Sequence, residues 1–289
     1  MVYNFSNLKK SDLSATPHYL VVGNPVGHSL SPLMHQTAID YHQLNAVYAG
    51  LHLEHNEIAE FAAWCNRENF LGCNITIPYK ELFLKLVDRV DNDAQEIGAI
   101  NTIVKQNGGL TGYNTDIIGF MEPVLDLQHL FEGGRAIVFG TGGASKAVKI
   151  GLLKLGVREI VFVSRNPAGK TTSDHRAHIE FVDYHQWQSY AEEAAIFINT
   201  TPVGMHPNVD EIFIDRRDAT LFEDKICYDL IYNPVMTSFL KEADRAGAVV
   251  INGLEMFIQQ GNRSFELWTG KTFPVEIIEQ KLNHHFHQR

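Results

Sequence analysis

The chain has 289 residues, 45% of them hydrophobic and 20% charged, with a formal net charge of −10 at pH 7. That length supports one large domain or two ordinary ones, each with its own core. The acidic balance argues against a broad nucleic-acid footprint, which needs clustered excess Lys and Arg, but it leaves room for a small anion held by local cations and backbone donors.

In the first third, short apolar runs alternate with helical patterns. His18–Gly23 (HYLVVG) reads as a strand ended by Gly. Ser31 and Pro32 open a helix through Tyr41, with Ser at the cap and Pro in the first turn. Ala46–Leu51 is a strand, Glu54–Asn66 an amphipathic helix, and Leu71–Ile77 a third strand stopped by Pro78. Lys80–Val87 reads as helical, and Ala99–Lys105 with Gly109–Gly112 as a hairpin. Strands alternating with helices predict a mostly parallel sheet.

A second register begins near Gly133. The strand Arg135–Phe139 runs straight into Gly140-Thr-Gly-Gly-Ala-Ser145, and a helix follows through Leu155, ended by Gly156. Strands are predicted at Glu159–Val163, Ala195–Asn199, Lys225–Asp229 and Ala248–Ile251, with a helix over Met236–Ala246. Met256–Trp268 and Val275–Leu282 are helical in period and are expected to pack back on the first domain.

Between a strand and a helix, Gly140, Gly142 and Gly143 permit a tight turn and let backbone N–H groups approach a pyrophosphate. A ligand-free glycine turn is the plainer alternative. An NAD site usually carries Asp or Glu at the end of the next strand, for the ribose 2′-hydroxyl. Here that strand runs into Ser164-Arg165-Asn166, with Lys170 close by and no carboxylate. A guanidinium suits a 2′-phosphate, so NADP is expected over NAD. Otherwise Arg165 is a solvated surface charge.

Three polar clusters stand out in the first third: Gly23-Asn-Pro-Val-Gly-His-Ser29-Leu-Ser31-Pro32, Asn74-Ile-Thr76-Ile-Pro78-Tyr-Lys80, and Gly98-Ala-Ile-Asn101-Thr102 with Gly112-Tyr-Asn114-Thr115-Asp116. Ser29 and Ser31, two residues apart before a helix, can bind a carboxylate with the helix N–H groups, or both can be capping residues. Together the clusters supply a cation, a carboxylate and several neutral donors.

With GNPVGHSLSP, NITIPYK, GAINT, GYNTD, GTGGASKA, NTTPVGM, YDLIYNP and NGLEMFIQQ in this order, the chain resembles the shikimate dehydrogenases from about Tyr19 to Gly261. The resemblance implies an α/β fold: an N-terminal α/β substrate domain over 1–117, completed by C-terminal helices over 256–289. Beside it stands a Rossmann-type NADP-binding domain over 118–255, with a cleft between the two. It implies that Ser29 and Ser31 hold a carboxylate, with Tyr232 near it, and that Thr76, Lys80, Asn101, Asp116 and Gln260 bind ring hydroxyls. It implies further that Gly140, Thr141, Gly142, Gly143 and Ala144 cradle the pyrophosphate, that Ser164 and Arg165 meet the adenosine phosphate, and that Met205, Leu230 and Gly253 line the nicotinamide end. Two departures are Ser164 in place of a common Asn and Lys146 in place of a common Arg. They touch cofactor preference and leave the reaction intact.

The implied reaction is NADPH-dependent reduction of 3-dehydroshikimate to shikimate, on the route to chorismate and the aromatic amino acids. Lys80 can stabilise the charge developing on the carbonyl oxygen and donate the proton, with Asp116 orienting and balancing it. A plain Lys–Asp salt bridge is the alternative. A broader quinate/shikimate dehydrogenase and another Rossmann enzyme such as a folate dehydrogenase are the rival enzymes; the latter leaves the paired serines unexplained. A catalytically silent ligand sensor would lose Lys80 or Asp116, and both are present.

No metal is expected: His284, His285 and His287 end a polar helix. Cys65, Cys73 and Cys227 form no CxxC pair and read as buried apolar fillers, a sparse usage that fits a reducing compartment. Met1–Leu20 has no apolar core of a signal peptide, and no run approaches the ~20 apolar residues of a membrane helix. The expectation is a cytoplasmic protein with a small-molecule substrate, no nucleic-acid or membrane partner, and a monomeric or homodimeric state.

Overall fold

A computed structural model describes residues 1–167 and 174–287. The chain divides into two compact units, Met1–Thr115 with Gln260–Arg289, and Asp116–Gln259.

The first unit is built on strands β1 (Val2–Asn4), β2 (His18–Gly23), β3 (Val47–His52), β4 (Phe70–Ile75), β5 (Arg89–Val90), β6 (Thr102–Gln106) and β7 (Gly109–Tyr113). They lie in the order β1-β3-β2-β4-β6-β7-β5. The first four are parallel, whereas β6 is antiparallel to both β4 and β7. Helices α1 (Phe5–Lys10), α2 (Ser31–Tyr41), α3 (Ile58–Trp64), α4 (Lys80–Phe83) and α5 (Asn92–Ile97) connect them. Every residue of β2 is buried, as expected of an apolar strand covered on both faces. One core gathers Phe5, Phe61, Trp64, Phe70 and Phe83; Phe5 meets Phe61 edge-on at 5.6 Å, the favoured sense for ring quadrupoles.

The second unit holds α6 (Asp116–Met121), β8 (Arg135–Phe139), α7 (Gly143–Lys154), β9 (Glu159–Val163), β10 (His178–Val182), α8 (Gln188–Ala191), β11 (Ala194–Asn199), β12 (Ile226–Asp229), α9 (Ser238–Arg245) and β13 (Val249–Ile251). Its sheet is parallel throughout, in the order β10-β9-β8-β11-β12-β13. This is the doubly wound order, which reverses direction between β8 and β11 and opens a crevice at the carboxyl ends of those two strands. Helix α10 (Gly253–Thr269) follows, and α11 (Val275–His287) ends the chain. In the first unit α11 packs on α2, and the Trp268 indole of α10 donates to the Ile103 carbonyl at 2.9 Å. Among the described residues no helix is long and apolar enough to cross a membrane.

Several elements differ from their expected form. The Lys80–Val87 helix stops at Phe83: the N–H groups of Lys85 and Leu86 reach back three residues in tight turns, and the chain then enters β5 beside β7. Ser31 is the first residue of α2 rather than its cap; Leu30 holds the cap position without a side-chain bond, and Ser29 Oγ accepts the Ser31 N–H at 3.3 Å. The Glu54–Asn66 helix opens with a 3-10 turn, His55–Glu57, stapled by reciprocal Glu54 and Glu57 bonds, and continues as α3. Strands β1, β5 and β10, helices α1, α5 and α6, and the 3-10 stretch Glu122–Leu130 are additions to the expected set. All three cysteines are buried and free, and burial pushes each thiol upward, away from the reactive thiolate.

Candidate functional site

In the first unit, the pairing of β2 with β4 places the loops after these strands side by side. The Thr76 N–H donates to Val22 O at 2.9 Å and the Asn24 N–H to Ile77 O at 3.0 Å. Ser29 and Ser31 follow β2, Thr76 follows β4, and Lys80 opens α4 with its carbonyl accepting the Ile100 N–H at 3.0 Å. Asn101 stands next in the chain, its own carbonyl accepting the Ile75 N–H at 2.8 Å. Five of the expected substrate residues therefore follow one another around the carboxyl ends of two central strands, β2 and β4.

Below these strand ends lies a buried polar network whose mutual bonds the sequence does not show. The Tyr48 hydroxyl donates to Asn74 Oδ1 at 2.7 Å; burial pushes its pKa well up, so it stays a donor. Asn74 Nδ2 faces Ser264 Oγ at 3.0 Å and Thr102 Oγ1 at 3.1 Å. Ser264 Oγ also lies 2.8 Å from Thr102 Oγ1, 3.2 Å from Thr115 Oγ1 and 3.0 Å from the Gln260 carbonyl. Asn101 Oδ1 accepts the Thr115 N–H at 2.8 Å, holding the residue directly before Asp116. The network thus fixes the backbone around Asn101, Asp116 and Gln260. Asn74, Asn101, Thr102 and Thr115 stand in the polar clusters of the sequence, whereas Tyr48 in an apolar strand and Ser264 in the last helical pattern carry no signal of their own.

Stacked on Tyr48 at 4.4 Å, His35 is fully buried, and among the described residues neither ring nitrogen has a hydrogen-bond partner. Desolvation lowers its pKa to about 3, so it is a neutral packing residue.

The second unit carries a cavity of about 790 Å³ at the crevice predicted by its strand order. Gly140, Thr141 and Gly142 line it after β8, Ser164, Arg165 and Asn166 after β9, Tyr184 after β10, and Thr200–Val203 after β11, with Phe213. Gly140 has φ +100, and a Cβ there would meet Thr200 Oγ1 at 2.7 Å, so both conformation and space demand Gly. At Gly142 and Gly143 a Cβ would meet nothing within 4 Å, leaving open space over the start of α7. Gly142 caps α7 without a side chain, so first-turn N–H groups are left for a ligand, and Ala144 follows in that turn.

Ser164 Oγ lies 3.5 Å from Thr141 Oγ1 and accepts the Asn166 N–H at 3.3 Å. Arg165 is exposed, and among the described residues no lining residue is a carboxylate. The residues present fit a dinucleotide bearing an extra phosphate. Lys170, expected beside Arg165, lies outside the described residues. Lys146 is exposed on α7.

At the end of β12, the Leu230 N–H donates to Asn199 O at 3.1 Å and the Gly253 N–H to Ile231 O at 3.0 Å. A Cβ on Gly253 would stand 2.0 Å from Leu230 O, so only Gly lets α10 begin there. Met205 closes a turn on Pro202 and is nearly half exposed. Tyr232 stacks on Phe257 at 4.6 Å, and burial raises its pKa. Among the described residues no group of three or more His, Cys, Asp and Glu is arranged to hold a metal ion; the side chain of His287 lies outside them.

Comparison with known proteins bears on both units. Residues 21–103 match the family model described as the shikimate dehydrogenase substrate binding domain, and residues 253–282 the shikimate 5'-dehydrogenase C-terminal domain. The shikimate dehydrogenase (NADP(+)) of Gloeothece citriformis is 35% identical over 280 residues, covering 91% of this chain and 94% of that protein. The crystal structure of Listeria monocytogenes shikimate 5-dehydrogenase in complex with shikimate and NAD is 30% identical with a TM-score of 0.84, covering 93% of this chain and 96% of that one. The Thermus thermophilus enzyme in complex with NADP(H) and shikimate is 33% identical with a TM-score of 0.78, covering 91% and 97%. The chain belongs to the shikimate dehydrogenase family.

Proposed function

We propose that this chain catalyses the reversible NADPH-dependent reduction of 3-dehydroshikimate to shikimate. The cavity at the strand-order reversal, lined by Arg165 and among the described residues by no carboxylate, carries this proposal: it suits a dinucleotide with a 2′-phosphate, and family membership supplies the substrate class.

When bound, the nicotinamide cofactor supplies the hydride. The protein must hold the substrate, furnish a proton to the ketone oxygen and balance the charge that develops there. Lys80 is assigned the proton: its ammonium stabilises the forming alkoxide, gives up its proton in reduction and takes it back in oxidation. Asp116 binds a ring hydroxyl and offsets the ammonium charge. Ser29 and Ser31 take the substrate carboxylate, with Tyr232 beside it, while Thr76, Asn101 and Gln260 bind the ring hydroxyls. Gly140 to Ala144 receive the pyrophosphate through backbone N–H groups, Ser164 and Arg165 the 2′-phosphate, and Met205, Leu230 and Gly253 the nicotinamide end.

The direct test is to incubate the purified protein with 3-dehydroshikimate and NADPH and identify the product by chromatography. Stoichiometric shikimate and NADP are expected; NADPH left unconsumed would overturn the assignment.

A further inference from the structure

Asp229 ends β12 with a fully buried carboxylate that does not itself line the cavity. Its Oδ1 accepts Asn199 Nδ2 and the Ile231 N–H, both at 3.0 Å, and its Oδ2 accepts the Thr237 hydroxyl at 2.7 Å. From there the bonds run outward in two directions. Asn199 Oδ1 accepts the N–H and hydroxyl of Thr201 at 2.9 and 2.7 Å, and Thr201 Oγ1 accepts the Val203 N–H at 3.3 Å. On the other side, Thr237 Oγ1 accepts the Leu240 N–H at 3.3 Å and caps α9.

The donors meeting Asp229 come from β11, from the segment after β12 and from the α9 cap, and all three are neutral. A buried carboxylate without a counter-charge is costly, and burial pushes this one up to about 7 in spite of its hydrogen bonds. As a plain structural filler an amide would cost less. What the amide cannot do is accept from all three donors at once, because one oxygen becomes an NH₂ aimed at the Thr237 hydroxyl.

We infer that Asp229 is a positioning residue, whose carboxylate sets the spacing between the Thr201–Val203 cavity wall and the Leu230–Ile231 backbone and so shapes the nicotinamide end of the cofactor site. This rests on the cofactor assignment proposed above. Asp229 touches neither cofactor nor substrate; it acts through Asn199, Thr201 and Ile231.

Calorimetric titration of the unloaded protein with NADP, and separately with shikimate, run above pH 7 so that the Asp229 carboxyl is ionised, tests it on Asp229→Asn, Thr237→Val and Thr237→Ser, with thermal melting to establish folding. Asp229→Asn and Thr237→Val should weaken NADP binding about fivefold or more, the worth of one net hydrogen bond, and leave shikimate affinity unchanged. Thr237→Ser keeps the hydroxyl and should bind NADP as the unmodified protein does. Should Asp229→Asn fail to fold, the Thr237 pair decides. Unchanged NADP affinity in Thr237→Val, or parallel loss of NADP and shikimate binding, overturns the inference. An unmodified protein that binds shikimate but not NADP would overturn the cofactor assignment itself, and the inference with it.

Discussion

Lys80 occupies the first position of a four-residue helix, with its carbonyl fixed by the Ile100 N–H and the chain around Asn101 held by a buried network. If Lys80 is the proton donor proposed above, this anchored backbone sets where its side chain starts. Lys80→Ala should lower kcat by about two to four orders of magnitude, the usual worth of a placed acid–base group, with the NADP KM unchanged. Steady-state kinetics checks this, and Lys80→Met with near-normal turnover would move the proton to water or another group. Ser29→Ala and Ser31→Ala should each weaken shikimate binding by about 1–3 kcal/mol, the range for a hydrogen bond to a charged group. An unchanged shikimate KM in both would place the carboxylate elsewhere. In the second unit's cavity, Arg165 is the residue proposed to meet a 2′-phosphate. Arg165→Ala should raise the NADP KM and leave the NAD KM almost unaffected; equal effects on both would make Arg165 a surface charge only.

At the scale of elements, two buried polar knots join segments far apart in the chain. In the first unit, Ser264 ties α10 to the strand ends through Asn74, Thr102 and Thr115. Ser264→Ala removes only the hydroxyl and leaves these groups a partner short, so it should cost about 1–3 kcal/mol of stability, read as a lower Tm. In the second unit, Asp229 has its folded pKa raised to about 7 by burial, opposed by hydrogen bonds from Thr237, Ile231 and Asn199. The folded state therefore binds this proton more tightly than the unfolded state. Its contribution is fully present below the ordinary carboxylate range and is lost as pH rises toward about 7. None of its three hydrogen-bond partners titrates. Melting curves should show the unmodified protein losing stability relative to Asp229→Asn across that window and running parallel above it. Parallel curves throughout would mean the carboxyl is not shifted.

For the molecule as a whole, long apolar strands and their glycine turns are legible in the sequence because their signals are local. His18–Gly23, Arg135–Phe139 and Glu159–Val163 stand where the apolar runs predict. The Gly140 turn, with its helix and the Ser164-Arg165 pair, also reads directly, since the strand–turn–helix order carries its own chemistry. What stays hidden depends on contacts distant in sequence. β1 is three residues long and exists because β3 offers its edge, and β5 exists because β7 does. The Asn74–Ser264 bond spans 190 residues, and Asn199–Asp229 spans 30. In one dimension such side chains look like ordinary polar residues in apolar stretches, and only the folded sheet shows what they hold.

NADP-dependent oxidation of shikimate is tested most directly by kcat/KM for shikimate and for quinate, each with NADP and with NAD. Shikimate with NADP should exceed the other three combinations, with NAD lower because the cavity offers Arg165 and no carboxylate for a free ribose hydroxyl. Equal use of NADP and NAD, or no turnover of shikimate with either, would contradict it.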